Sequence, residues 1–236
     1  MRVAALYDVH GNRPALEAVL VEVERERVDA IVLGGDCIYG PQPLETLQRL
    51  QALGERAVWI RGNTDRLIAE EAGSDTLHAW AADRLGPDHV EFLEGLPTTH
   101  ELDVDGLGTV LFCHATPRSD EEIVTPLTPD ERLAAILEGV NADAVVAGHT
   151  HMQQDRTVSG IRWVNAGSVG LPYEDDIKAF WALLGPDVEL RRTAFDLDAA
   201  IRAFEAVDRE DAREFVENFR TAPSRREATE YFESLV

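Results

Sequence analysis

Seven side chains of metal-binding type stand at the ends of short apolar segments in this sequence. The pattern is clearest at His149 and His151, which follow the apolar run Ala144–Ala147 after a single glycine. Such a run is typical of a buried strand. Histidines two positions apart can face two neighbouring metal ions if the loop that carries them curls. Taken alone, the pair is equally well explained as two surface histidines in a turn.

Five more such side chains occur upstream, at other predicted strand ends: Asp8, His10, Asp36, Asn63 and His114. Each has an ordinary explanation when it is considered singly. An Asp-x-His pair arises often by chance, a Gly-Asn pair is a common left-handed turn, and a lone histidine is more often hydrogen-bonded than metal-bound. Their succession at strand ends makes coincidence a poor explanation. Because sites in open sheets form outside the carboxyl ends of strands, we expect the seven side chains to converge.

The types of these side chains indicate the chemistry. Nitrogen and oxygen ligands without a thiolate suit manganese, iron or zinc better than a structural, cysteine-rich zinc site. Seven ligands exceed what one ion uses, so we expect two ions that share a carboxylate. Two ions roughly 3.5–4 Å apart clamp the attacking and leaving oxygens of an in-line phosphoryl displacement. A water held between them can lose a proton near neutral pH, so no side-chain nucleophile is required.

Composition limits the partners and the compartment. The 236 residues include 22 basic and 44 acidic side chains, and the formal charge of −22 argues against a nucleic-acid polymer as the main partner. The two cysteines, Cys37 and Cys113, cannot form a disulfide framework, which favours a reducing compartment. The sequence shows no apolar leader and no apolar run of the roughly 20 residues that span a bilayer. We therefore expect a cytoplasmic protein without a membrane partner.

The first third of the chain alternates predicted strands and helices. Apolar runs at 2–7, 30–33 and 57–60 indicate strands, and Leu16, Val19, Leu20 and Val23 recur at helical spacing between the first two. A second helix is expected to follow Pro43. Two such strand–helix repeats imply a parallel sheet covered by helices.

The pattern changes after residue 66. Residues 67–97 show helical spacing only, and such an insertion is either a lid over the site or plain packing on a sheet. Turn signals then indicate hairpins at 101–113, 156–164 and 179–192. Thr128-Pro129-Asp130-Glu131 has the form of a capping box that starts another helix. We assign residues 1–195 to one domain and 196–236 to a helical extension packed on it.

An apolar stripe runs through the end of that extension and consists of Ala228, Tyr231, Phe232 and Leu235. We expect it to pack on the body of the protein, with a dimer contact as the alternative.

Five segments together resemble the signature blocks of the calcineurin-like metallophosphoesterases: residues 8–12, Gly35-Asp36, residues 62–65, His114 and residues 148–151. Residues 36–41 and 165–170 are similar to the small prokaryotic predicted phosphodiesterases of the YfcE type. The resemblance covers about residues 2–184. It implies an α/β fold, a four-layer α/β/β/α sandwich of two mixed sheets, of which the parallel sheet above would be only a part.

The resemblance also implies a role for each ligand. Asp8, His10 and His151 would hold the first metal, and Asn63, His114 and His149 the second. Asp36 would bridge both, and Asp36, Asn63 and His114 would be the catalytic group. The implied cofactor is a pair of divalent ions, with Mn²⁺ first and iron, nickel or zinc as alternatives.

The implied function is hydrolysis of phosphate diesters, by attack of a metal-bridging hydroxide on a small phosphate ester. The alternative within enzymes is a phosphomonoesterase, including a serine/threonine protein phosphatase. A non-catalytic interaction scaffold is disfavoured because every ligand position is filled. A homo-oligomer is an open alternative.

Three residues beside the blocks are candidates for substrate binding: Asn12, Tyr39 and Arg118. Asn12 stands at the start of the first helix, where its amide and the backbone amides could meet a phosphate oxygen, although an N-cap role is compatible. Tyr39 and Arg118, like Tyr173, lie in loops and are equally well explained as surface residues. We expect Asn165 and Ser168 to support the site, and both cysteines to lie in the core.

One position departs from the family pattern. The third block usually reads Gly-Asn-His-Asp/Glu, with a histidine that helps to protonate the leaving group, but Thr64 stands in its place. A threonine cannot act as an acid near pH 7, and Asp65 then lacks its usual partner. We expect weak hydrolysis of esters with poor leaving groups. The simplest role for Thr64 is to cap the following helix.

Overall fold

The strands form two five-stranded mixed sheets in the computed structural model, which describes residues 1–221 and 224–236. The first sheet contains, in spatial order, β10 (Val188–Thr193), β9 (Ala179–Leu184), β1 (Val3–Leu6), β2 (Ala30–Leu33) and β3 (Ala57–Trp59). The second contains β4 (Thr99–Val104), β5 (Gly108–Cys113), β6 (Ala144–Ala147), β8 (Ile161–Asn165) and β7 (Gln154–Val158).

Both sheets combine a parallel centre with antiparallel hairpin strands. β1, β2 and β3 are parallel to one another, whereas β9 and β10 run antiparallel beside β1. In the second sheet β5, β6 and β8 are parallel, and β4 and β7 are antiparallel edge strands. The expected parallel sheet is therefore correct for β1–β3 only. The two mixed sheets implied by the family resemblance are confirmed.

The central strands are buried on both faces, which explains why they read as continuous apolar runs. Side chains alternate along β1. Ala4 and Leu6 pack with the helices on the outer face. Val3 and Ala5 belong to the core between the two sheets, which also contains Phe112 of the second sheet. The core between the sheets is thus built from every second side chain of the central strands.

Helices cover the outer faces of the sheets. The described helices are α1 (Arg13–Glu26), α2 (Pro43–Gln51), α3 (Asn63–Glu70), α4 (Leu77–Leu85), α5 (Pro87–Glu94), α6 (Asp130–Ile136), α7 (Leu197–Glu205), α8 (Glu210–Arg220) and α9 (Arg225–Glu233). α1 buries Leu16, Val19, Leu20 and Val23 in the core, as its spacing predicts. None of these helices is long and apolar enough to cross a membrane.

The capping box predicted at Thr128 is wrong. α6 begins at Asp130 after Pro129, and no side chain caps it. The Thr128 hydroxyl instead accepts the backbone N–H of Thr125 at 2.9 Å, so a local turn takes the oxygen that the helix would have used.

The helical insertion packs into the body of the protein. Ala81, Leu85 and Leu93 of α4 and α5 are buried in the same core as α1. Leu77 at the start of α4 packs with Val207, which follows α7. These contacts favour the packing role over a lid.

The C-terminal stripe is buried only in part. Ala228 of α9 is buried and Phe232 contacts Tyr173. Tyr231 and Leu235 are exposed, so only part of the stripe packs on the body. The spacing of such a stripe shows which side chains share a face of the helix, but not which of them become buried.

Candidate metal centre

The seven predicted ligands come together at one edge of the two sheets. Asp8 and His10 follow β1, Asp36 follows β2, and Asn63 begins α3 after β3. In the second sheet His114 follows β5, and His149 and His151 follow β6. Because these strands are parallel within each sheet, their carboxyl ends lie side by side. Ligand atoms of Asp8, His10 and His151 lie within 4.8 Å of one another, as do those of Asp8, Asp36 and His114.

Five of these residues have left-handed backbone conformations, with φ of 53° at Asp8, 48° at His10, 53° at Asp36, 66° at His149 and 57° at His151. Such φ values are uncommon outside glycine and cost roughly 1–2 kcal/mol per residue. Backbone hydrogen bonds between the loops stabilise these conformations. In one of them the N–H of Asp8 donates to the carbonyl of Gly35 at 3.1 Å. Strain concentrated in this way is typical of functional sites.

In the first group of ligand atoms, the Nε2 atoms of His10 and His151 and Oδ1 of Asp8 face one another. The Nδ1 atoms of His10 and His151 face the carbonyls of Tyr39 at 3.2 Å and of Leu171 at 2.5 Å. A carbonyl only accepts hydrogen bonds, so in the neutral ring each Nδ1 carries the proton and each Nε2 carries a lone pair. The two Nε2 atoms are 3.2 Å apart, and Asp8 Oδ1 lies 3.2 Å from that of His151. Asp8 Oδ1 is buried and has no hydrogen-bond donor. Acceptors gathered in this way fit a shared cation.

The second group repeats the arrangement around His114. Its Nδ1 faces the carbonyl of Gly34 at 2.9 Å, so its Nε2 also carries a lone pair in the neutral ring. That Nε2 lies 3.0 Å from Asn63 Oδ1 and 3.5 Å from Asp36 Oδ2. The other oxygen of Asp36 accepts the N–H of Thr64 at 2.9 Å. Both groups are therefore acceptor sets with oriented rings.

The electrostatics of the site also favour a cation. Burial alone would lower the pKa of His114, but the carboxylates of Asp36 and Asp8 outweigh it and raise that pKa to about 10, so without a cation this ring carries a proton at pH 7 that a metal ion would displace from Nε2. Burial, reinforced by a neighbouring histidine, lowers the pKa of His10 and of His149 to about 4. Those two rings are therefore neutral at pH 7, which is the form that binds metal.

His149 is placed differently from the other histidines. Its ring centroid lies 5.2 Å from that of His114, while its Nε2 faces the carbonyl of Glu121 at 3.2 Å. Its backbone N–H donates to Asp8 Oδ2 at 2.9 Å. The ring is at the site but belongs to neither compact group of ligand atoms, so its role as a ligand stays a prediction.

The amide of Asn12 is engaged within the protein, and a contact of this residue with substrate stays a prediction. Its Oδ1 accepts the N–H of Ala15 at 3.2 Å, which confirms the N-cap, and its Nδ2 donates to the carbonyl of Gly170 at 2.9 Å. The residue is fully buried. Both polar atoms thus hold α1 and the 165–170 loop together.

The other predicted neighbours of the site lie where expected. Ser168 donates to the carbonyl of Asp8 at 2.7 Å, and Asn165 donates to the carbonyl of Gly148 at 2.6 Å. The ring of Tyr39 stacks on that of His78 at 4.3 Å and meets the edge of His10. Arg118 is exposed, and its guanidinium pairs with Glu122 at 2.6 Å. Substrate contacts of Tyr39 and Arg118 stay predictions. Cys37 and Cys113 are buried in the core.

Asp65, rather than Thr64, organises the third block. One carboxylate oxygen, Oδ2, accepts the backbone N–H of Asp36 and that of Gly62, both at 2.9 Å. Burial and the Asp36 carboxylate raise the pKa of Asp65 to about 7. The Thr64 hydroxyl is buried without a hydrogen-bond partner. The cap predicted for Thr64 is therefore wrong, because α3 already begins at Asn63 and the N–H of Gly62 bonds to Asp65.

Support from the C-terminal helices was missed in the sequence. Tyr173 stacks on the His151 ring, with centroids 4.7 Å apart and planes at 17°, and Phe232 of α9 contacts Tyr173. Arg225 of α9 pairs with Glu174 at 2.7 Å and donates to the carbonyl of Gln153. The apolar stripe that includes Phe232 was the available signal, but it did not indicate which surface it contacts.

Comparison with known proteins agrees with this arrangement. Residues 1–184 match the calcineurin-like phosphoesterase superfamily domain. A symmetrical bis(5'-nucleosyl)-tetraphosphatase from Nitrosococcus oceani is 31% identical over 167 residues, which are 67% of this chain and 58% of that protein.

Solved structures agree as well. The structure of a metallophosphoesterase from Sphaerobacter thermophilus is 26% identical, with a TM-score of 0.75 over 93% of this chain and 99% of its own. The phosphoesterase YfcE from E. coli shares the fold at 18% identity, with a TM-score of 0.53 over 83% of this chain and all of its own. The chain belongs to the calcineurin-like phosphoesterase superfamily.

Proposed function

We propose that this chain is a di-metal phosphodiesterase. One observation carries the proposal: hydrogen-bond acceptors converge at one place in the structure. The Nε2 atoms of His10, His151 and His114 lie next to the carboxylates of Asp8 and Asp36. Asp8, His10 and His151 would hold the first ion. The second ion would be held by Asn63, His114 and His149. Asp36 would bridge both ions, and Mn²⁺ is the first choice of metal.

Two divalent ions bound there would supply a nucleophilic water near neutral pH and would neutralise charge on the phosphoryl group. The chain fixes their ligands before binding, because backbone carbonyls set the tautomer of three histidines and Asp65 fixes the Asp36 loop. Preorganised ligands need no rearrangement during the reaction.

The chain offers no obvious acid at the family's usual position. Thr64 has a buried hydroxyl there, and an aliphatic hydroxyl does not donate a proton near pH 7. General acid catalysis typically contributes about 10²–10⁴-fold. We therefore expect substrates whose leaving group departs as a stable anion, such as an aryl oxide or a phosphate, rather than an alkoxide. This favours diesters of that kind over phosphoserine in proteins.

A second candidate is hydrolysis of dinucleoside polyphosphates. It is supported by the name of the relative from Nitrosococcus oceani, a bis(5'-nucleosyl)-tetraphosphatase, and by the same argument on leaving groups. A phosphomonoesterase remains the alternative for this site. An interaction scaffold without catalysis is disfavoured because every ligand position is filled.

The test is turnover by metal-depleted protein after addition of Mn²⁺. Bis(4-nitrophenyl) phosphate, 4-nitrophenyl phosphate, cyclic nucleotides and a dinucleoside tetraphosphate would be compared at equal concentration. We expect the diester to turn over faster than the monoester. Stoichiometric metal binding without turnover of any ester would contradict the enzyme assignment, and a dominant rate on the monoester would favour the phosphomonoesterase.

A further inference from the structure

A cavity of about 220 Å³ opens directly beside the candidate metal centre. Its wall includes His114 and three arginines, Arg61, Arg66 and Arg118. His114 and Arg118 lie on one short loop, closed by a tight turn in which Thr116 and Ser119 exchange backbone hydrogen bonds of 2.9 and 3.3 Å. Because His114 belongs to both places, a ligand in the cavity would adjoin a phosphoryl group at the metal centre.

The three guanidinium groups of the cavity differ in their partners. Arg66 pairs with Asp120 at 2.8 Å and with Glu121 at 2.7 Å. Arg118 pairs with Glu122. These charges are compensated within the protein, so neither arginine alone makes the cavity an anion site.

Arg61 is not compensated. Among the side chains that the structure describes, no carboxylate lies within 4.0 Å of its guanidinium. One terminal nitrogen donates to the carbonyl of Glu94 at 3.1 Å, and its Nε is buried without an acceptor. The chain has 44 acidic and only 22 basic residues, so most arginines can find a carboxylate partner. An arginine that lines a cavity without one is therefore a candidate for binding an anionic ligand.

The position of Arg61 is fixed by the backbone. Its N–H donates to the carbonyl of Pro97 at 2.8 Å. The residue directly precedes Gly62 and Asn63, the block that carries a predicted ligand. The backbone of Arg61 is therefore fixed beside the loop that supplies Asn63, and the residue lines the cavity that His114 also lines.

We propose that this cavity binds a second phosphate group of the substrate, with Arg61 as its direct ligand. The substrate class is then a phosphoanhydride, in which the leaving group is itself a phosphate ester. Water adds to the phosphorus at the metal centre, the bridging P–O bond breaks, and the departing phosphate keeps the electron pair and is held by Arg61. Two phosphate products form and the proton of the water passes to solvent. A phosphate leaves without protonation, which agrees with Thr64 in place of a proton donor. The inference rests on the proposed function of the metal centre.

The experiment compares two substrates across matched variants. Bis(4-nitrophenyl) phosphate carries one phosphate, and a dinucleoside tetraphosphate carries more. Arg61→Met should lower kcat/KM for the tetraphosphate by about 10- to 100-fold, the effect of losing a charge-assisted hydrogen bond, and should change the value for the simple diester by less than about 3-fold. Arg61→Lys should restore part of the loss. Arg56→Met, at the opposite end of β3 in an exposed pair with Glu24, is the control and should leave both rates unchanged.

Two outcomes overturn the inference. Equal losses on both substrates would mean that Arg61 only holds the loops, and no loss on either would mean that it touches no substrate. Should Arg61→Met fold poorly, Arg61→Gln keeps a donor for the Glu94 carbonyl without the charge, and the same selective loss is expected. Failure of the unaltered protein to hydrolyse the simple diester with Mn²⁺ would instead contradict the proposed function.

Discussion

The contact between Arg225 and Glu174 gives the sharpest test of how the C-terminal helices support the metal centre. Arg225 donates to both carboxylate oxygens of Glu174, at 2.8 and 2.7 Å, and also to the carbonyl of Gln153. Glu174 is only 8% exposed and accepts the N–H of Gln153 at 2.7 Å. Gln153 lies two residues after His151. Arg225→Met would therefore leave a buried carboxylate without its cation, next to a predicted ligand.

The size of the effect follows from burial. Breaking a buried ion pair by removing one partner costs about 3–5 kcal/mol, because the remaining charge stays desolvated. The Arg225 side chain is 34% exposed, so water can replace part of the interaction and we expect the lower end, about 3 kcal/mol. In a chain of this size each kcal/mol lowers Tm by about 2–4 °C, which predicts a decrease of about 6–12 °C.

The next residue supplies a matched control. Arg226 pairs with Glu230 across one helical turn, and the two side chains are 78% and 59% exposed. Such pairs contribute about 0–1 kcal/mol. Arg226→Met should therefore lower Tm by less than about 4 °C. Both variants remove one positive charge from the same helix, so the change in net charge cancels in the comparison.

Thermal unfolding of both variants, without metal and with Mn²⁺, measures the difference. Titration with Mn²⁺ supplies a second readout, since a looser segment after His151 should weaken binding in Arg225→Met but not in Arg226→Met. The double variant Arg225→Met/Glu174→Gln should recover part of the lost stability. Equal decreases in Tm for the two single variants would refute the claim that burial of Glu174 decides the effect.

Three further predictions concern the site itself. Asp36→Asn should lose more bound metal than a change at any one other ligand and should abolish turnover; full occupancy on metal analysis would exclude a bridging role. Because burial lowers the pKa of His10 and His149 to about 4, below the ordinary value near 6.5, both stay neutral in the folded protein. Their contribution to stability is therefore complete above about pH 6.5 and is lost as the pH falls toward 4. Excess Mn²⁺ should move the loss to lower pH, and melting curves indifferent to Mn²⁺ would contradict this. Finally, the rate should depend steeply on leaving-group pKa in a series of aryl and alkyl esters, and Thr64→His should flatten that slope because Asp65 Oδ1 has no other donor. Identical slopes for both proteins would mean that another group supplies the proton.

Much of the fold and the centre of the site could be predicted from local patterns. Buried strands such as β1 and β6 read as apolar runs, and a polar residue of ligand type at the end of each run marks the edge where they meet. The direction of a neighbouring strand is not encoded in such a run. Turn signals therefore predicted the hairpin of β9 and β10, and the family resemblance implied mixed sheets, but only the structure shows that β9 lies antiparallel beside β1.

Contacts between distant segments were beyond such patterns. Arg225 and Glu174 are 51 residues apart, and neither stands in a motif. The contacts of Asn12 could be predicted only in part for the same reason. The sequence indicates an N-cap but not that the side-chain N–H donates to the carbonyl of Gly170. A motif identifies the residue type at a position, whereas the contacts of that residue depend on which distant segments the fold brings next to it.

The left-handed backbone at five of the seven predicted ligands affects how the contribution of metal to folding can be measured. Replacing Asp8, His10 or Asp36 by alanine would remove a ligand and also place a Cβ-bearing residue without a compensating side chain in a conformation that costs roughly 1–2 kcal/mol. Alanine substitution would therefore attribute both the lost metal binding and the backbone conformational cost to the metal ion. Substitution by asparagine, which tolerates this conformation, or by glycine, which adopts it without steric cost, separates the two penalties. If glycine at one of these positions proves more stable than alanine in metal-free protein, the difference measures the conformational energy that the apoprotein stores at its binding site.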